Sequence, residues 1–185
     1  MTAPVPGGWD LAASAAKLAV HVGLAGLCGT VLMLLLFAQR PDRRRGLVVY
    51  GVLGAAVGLA GSVFFFLVQV GTIIGRGPAG MVDGAMAAVL WNTPVGTSLA
   101  LRLAGFGQAA VALPVYGRFD RIDDGPALPR RVALALLGLA AALLIGTGSA
   151  QAGHTTVVGP WTQLALAAHA VAAGAWIGAL PPLLW

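Results

Sequence analysis

Three histidines, one cysteine and two loop methionines are the residues of this sequence best suited to hold a metal. His21 and His169 fall inside long apolar stretches, and His154 falls where another such stretch ends. An imidazole is costly in hydrocarbon and needs a partner, either a hydrogen-bond acceptor on a neighbouring helix or a metal ion. Cys28 follows His21 by seven residues. That is two helical turns, so both side chains share one helix face, with the thiol ~10 Å further along the axis. Imidazole, thiolate and thioether together suit copper, with sulfur favouring Cu(I) and imidazole accepting Cu(I) or Cu(II). Met81 and Met86 lie between the second and third apolar stretches and offer thioethers, and Met33 lies deeper in the first stretch. Each residue also has a plainer use. The histidines can hydrogen-bond a neighbouring helix, the cysteine can fill space, and the methionines can form the apolar face of a surface helix.

His21 lies about eight residues into the first stretch and His169 eight residues beyond Trp161. Both are then ~12 Å below the same interface. Two histidines at one level on different helices can also clamp a b-type haem, with Ala165, Ala168, Ala172 and Ala173 leaving room for the macrocycle. A third reading is a scaffold for oxidase or copper-enzyme assembly that conducts nothing itself. Arg102 lies about five residues into the third stretch. It is expected to snorkel outward, or to pair with a backbone carbonyl or with Asp83.

Other chemistry is missing. The sequence has no Glu, and its six Asp are expected in loops. No carboxylate pair is set for hydrolysis, and no glycine-rich phosphate loop follows a strand. The chain therefore reads as a non-enzyme and not as a primary pump. Its net charge of +5 comes from arginines that membrane topology explains, so no nucleic-acid partner is implied.

The elements that must position these residues follow from composition. Of 185 residues, 58% are hydrophobic and 9% are charged. A water-soluble domain carries about 25% charged residues, so most of this surface faces lipid. A bilayer core of about 30 Å needs roughly 20 apolar residues per helix. Five stretches meet or approach that length: Leu11–Phe37, Gly46–Ile74, Thr97–Val115, Val132–Thr147 and Trp161–Trp185. The expectation is an all-α, polytopic transmembrane helix bundle forming a single domain over residues 1–185. Pro114 and Gly117 are expected to end the third span, and Met81–Trp91 to form a short interfacial helix. Trp9, Trp91 and Trp161 fit an aromatic belt, and Gly54/Gly58, Gly71/Gly75 and Gly174/Gly178 have the spacing of close helix packing.

Four arginines follow span one and four follow span three. The loop after span two has only Arg76, and Ser149–Pro160 carries no charge. Basic loops stay in the cytoplasm, which puts the N-terminus outside. The N-terminal segment lacks a basic signal-peptide region, so the first stretch is expected to be a retained helix. The lone cysteine excludes an intrachain disulfide.

Three segments in series carry a resemblance. They are Trp91-Asn-Thr-Pro-Val-Gly-Thr-Ser-Leu-Ala-Leu-Arg102, Gly153-His154-Thr155, and His169-Ala-Val-Ala-Ala-Gly-Ala-Trp176-Ile-Gly178. In order and spacing they resemble the CopD copper-resistance family of inner-membrane proteins over residues 90–185, and the helix with His21 is similar to that family's first span. The resemblance implies copper transport or homeostasis at the bacterial inner membrane, with copper passing between periplasm and cytoplasm. It also implies a periplasmic copper-binding protein as a partner, and His154 and His169 as the motif histidines. The chain departs from the pattern at Ala179, where a second Gly is common. It shows five spans where the family has about eight, so a chain continuing beyond residue 185 is expected.

Overall fold

The computed structural model describes residues 7–37, 41–119, 128–151 and 159–184. Among them, five long helices are long and apolar enough to cross a membrane. They are α1 (Gly8–Phe37), α2 (Pro41–Ile74), α4 (Pro94–Phe119), α5 (Leu128–Gln151) and α6 (Pro160–Leu183). A short helix, α3 (Gly84–Trp91), and a 3-10 turn (Gly77–Val82) connect α2 to α4. The described residues contain no strand. Backbone donors in hydrocarbon must be satisfied within the segment, and the helix does this at every turn.

The first four long helices run longer than their apolar stretches. Helix α4 starts at Pro94 and continues through Pro114 and Gly117, where sequence punctuation placed its end. A proline removes one intrahelical bond, which neighbouring helices and local adjustment make tolerable in a transmembrane helix. Pro181 and Pro182 sit likewise inside the last turn of α6. The connection expected as one helix over Met81–Trp91 is split at Asp83. Its carboxylate accepts from the Met86 backbone N–H at 2.9 Å and so caps α3, while Pro78 opens the preceding 3-10 turn. Asp10, expected in a loop, stands in the first turn of α1 and accepts from Gly7 N at 3.1 Å.

The long helices alternate in direction and close a ring. α1 packs on α2 and α6, α2 on α4, α4 on α5 and α5 on α6, while α1 also reaches α5 across the bundle. The core lies along α1, whose Val20, Leu24, Leu27, Cys28, Met33 and Leu34 meet Phe106 and Leu113 of α4 and Leu134 and Ile145 of α5. The starts of α1, α4 and α6 share one end of the bundle with the ends of α2 and α5. There Trp9 donates its indole N–H to Thr72 at 2.8 Å, tying α1 to α2. Trp91 and Trp161 lie at the same end and are exposed.

Small residues set the helix spacing. A Cβ on Gly23 would lie 2.6 Å from Gly58 Cα and one on Gly26 3.2 Å from Gly54 Cα, so α1 and α2 touch backbone to backbone. Gly178 meets Ala25 and Gly29 of α1 in the same way. The Gly71/Gly75 pair is different. Gly71 packs against Gly77 and Trp9, but Gly75 has open space and φ 72°, so it serves the turn and not a helix contact.

Candidate functional site

His21 is exposed on α1, one turn below the exposed Lys17. Its Nδ1 lies 2.7 Å from the Lys17 carbonyl oxygen. A carbonyl only accepts, so Nδ1 carries the proton, and in the neutral ring the lone pair is at Nε2. A backbone carbonyl on one ring nitrogen is the usual way a protein orients an imidazole whose other nitrogen binds a metal.

Cys28 continues the same stripe but is buried, at 7% exposure. Gly174 of α6 lies over it, close enough that a Cβ there would be 3.6 Å from Cys28 Sγ. The difference from His21 comes from the path of α6. That helix meets α5 through Ala167 on Gly146, and α1 through Gly174 and Gly178. His21 is not covered in this way and is exposed.

His169 is exposed as well. It follows the fully buried Ala167 by two residues, about 200° around the helix, which turns it away from α5. The parallel register of α1 and α6 pairs Gly178 with Ala25 and Gly29. Extended toward the helix starts, it puts His169 level with the turn Ala16–Val20, within about one turn of His21. The two histidines are thus at similar levels along the bundle, on two exposed surfaces. His154 lies outside the described residues. Among the described residues, no three His, Cys, Asp or Glu side chains converge on a common point.

The methionines separate. Met86 is half-buried and packs with Phe66, Val70, Leu90 and Leu99 in a second apolar cluster under α3. That is a packing role, with Trp91 edge-on to Phe66 at 6.5 Å closing the same corner. Met81 is half-buried in the 3-10 turn, and Met33 is in the main core. Met86→Leu is accordingly expected to change stability by less than about 1.5 kcal/mol and to leave copper(I) affinity unaltered. Chelator competition with a melting curve on the same sample checks both.

Sequence reasoning passed over Lys17, Phe65 and Ser98. Arg102 is buried, at 5% exposure, and its Nη2 donates to the Gly148 carbonyl at 3.5 Å. Ser98 donates to the same carbonyl. Of the partners expected for Arg102, the backbone carbonyl is found; Asp83 is occupied in capping α3. Arg102 Cζ stands 5.5 Å from the Phe65 ring centroid, and Lys17 Nζ stands 5.5 Å from the same centroid. Lys17 was legible as a charge six residues into an apolar stretch. Phe65 carried no signal, because its role depends on which helices flank α2. Gln108 donates to Leu137 O at 2.9 Å, a helix-to-helix tie that accounts for its polarity within the span.

A bis-histidine haem needs two imidazoles facing each other across a gap the width of the macrocycle. Here α1 and α6 meet backbone to backbone at Gly29 and Gly178, and His169 turns away from its neighbours. These two histidines do not fit a shared haem within one chain. No protein-family model matches this sequence, and neither a curated protein nor a solved structure does.

Proposed function

We propose that this multi-pass membrane protein handles copper at the bacterial inner membrane, binding the ion through imidazoles near the Trp9 end and passing it along or across the bundle. The observation that carries this reading is His21, whose Nδ1 is held by the Lys17 carbonyl so that Nε2 is available to coordinate. Cys28 two turns further along the stripe supplies a soft ligand inside the bundle. The three segments resembling the CopD family support the same metal, and they add His154 and His169. Ligands spread over separate positions suit a cargo ion, because conduction and handover need several weak sites where one closed cage would trap the ion. The distribution of arginines supports the Trp9 end as the periplasmic one, where a copper-binding protein would deliver or collect the ion. No catalytic role is part of the proposal.

X-ray absorption at the copper edge of the full chain, loaded with copper(I) in detergent, tests the ligand type. Imidazole scattering that falls in His21→Ala, and is lost when His154 and His169 are replaced as well, is the expected result. A first shell made of sulfur alone, unchanged in His21→Ala, would reject the assignment to His21.

A further inference from the structure

Lys17 and Arg102 put two positive charges on one phenylalanine ring, and among the described residues no carboxylate pairs with either. Arg102 is 5% exposed and Phe65 is 3% exposed. The Nε of Arg102 is sealed in the protein with no hydrogen-bond partner. Nη2 has only a long bond to the Gly148 carbonyl, which accepts from Ser98 as well. Among the described residues the Gly148 bond is the one hydrogen bond found for this guanidinium. Of the described aspartates at this end, Asp83 accepts from Met86 N and Asp10 from Gly7 N. A buried charge persists only where something compensates it, and a buried donor left over in a native protein points to a partner not yet in place. A ring face and one carbonyl compensate a guanidinium only in part.

The level of the charge says what the partner is. The Arg102 backbone lies eight residues inside α4, ~12 Å from the helix start. Its guanidinium reaches Gly148, three residues from the last residue of α5, ~4.5 Å from that helix end. The side chain therefore runs toward the Trp9 end of the bundle, as a snorkelling arginine does toward the phosphate level of a bilayer. Lys17 is exposed on the outside of α1 and reaches the same ring. A guanidinium with an unpartnered donor and an exposed ammonium, each 5.5 Å from one ring centroid, are suited to a phosphate group that bridges them.

We propose that Lys17 and Arg102 form a phosphate-binding site at the Trp9 end of the bundle, filled by the headgroup of an anionic phospholipid. The site shares no side chain with the proposed copper ligands, so either proposal can fail alone.

The full chain, stripped of lipid in a non-ionic detergent, is melted while phosphatidylglycerol, phosphatidylcholine or inorganic phosphate is added. Phosphatidylglycerol is expected to raise the melting temperature saturably and more than phosphatidylcholine does. A rise with phosphatidylglycerol alone assigns the lipid; a rise with inorganic phosphate as well assigns the phosphate group from either source. Arg102→Met removes an uncompensated buried charge. It is expected to melt about 2–4 °C above wild type in the stripped state and to lose the gain from phosphatidylglycerol. Lys17→Met, at an exposed position, keeps the fold and weakens the phosphatidylglycerol response about fivefold, the loss expected for one basic residue near a headgroup. Equal responses to the two lipids with none to phosphate, or a gain that persists in both variants, would overturn the proposal.

Discussion

Leucine at position 178 is expected to detach α6 from α1. A Cβ on Gly178 would fall on the Ala25 carbonyl, and Gly29 opposite is equally closed by the Gly178 backbone. Neither obstacle is a flexible side chain, so the helices must separate. Tyr50 donates to the Gly178 carbonyl at 3.2 Å, so α2 loses its tie to α6 as well. Overpacking typically costs 1–3 kcal/mol, and an obstacle made of backbone puts this substitution at about 3 kcal/mol or more. The melting temperature in detergent should fall by roughly 6–12 °C. Gly174→Ala is the control one turn away. Its new methyl would meet Ala25, Leu24 and Cys28 at 3.6 Å, ordinary contact. That variant should melt at or slightly above the wild-type temperature. Equal losses at 174 and 178 would show that the helix spacing is not what Gly178 sets.

The second large effect is at Phe106. Its side chain is fully buried in α4, and its ring stands on Gly58 of α2 at the place a Cβ would occupy. Phe106→Ala removes the ring and leaves a cavity between α2 and α4, at a cost of about 3–5 kcal/mol. The same contact makes Gly58→Ala damaging in the wild-type background and mild once the ring is gone. A double-mutant cycle on the two positions should therefore show strong coupling. Additive losses would mean that the ring and the glycine do not share one space.

Hydropathy made the five spans legible, because a bilayer imposes a length that a single sequence displays. Boundaries were less legible. Pro114 marks a break in a water-soluble helix, whereas in α4 the surrounding helices hold the turn together. Small-residue spacing was legible as a packing signal, but it could not tell Gly178, which meets a helix, from Gly75, which makes a turn. The site was legible by residue type and depth only. His21 and His169 share a level as counted, yet depth along a helix says nothing about which neighbour covers a face. Cys28 is covered by Gly174, while His21, on the same stripe, is exposed. The tie from Lys17 to His21 lies within one turn of α1 and could have been found in the sequence. The meeting of Lys17 and Arg102 on Phe65 needs three helices and could not.

Copper held by imidazoles near the Trp9 end, as proposed, must be lost when those imidazoles are removed. The most direct measurement is a copper(I) titration of the full chain in detergent against a competing chelator, comparing wild type with a variant carrying His21→Ala, His154→Ala and His169→Ala together. Saturable binding by wild type is expected, weakened at least about tenfold in the triple variant, a difference of about 1.4 kcal/mol, with its melting curve otherwise retained. Binding of equal strength in both proteins, or none in either, would contradict it.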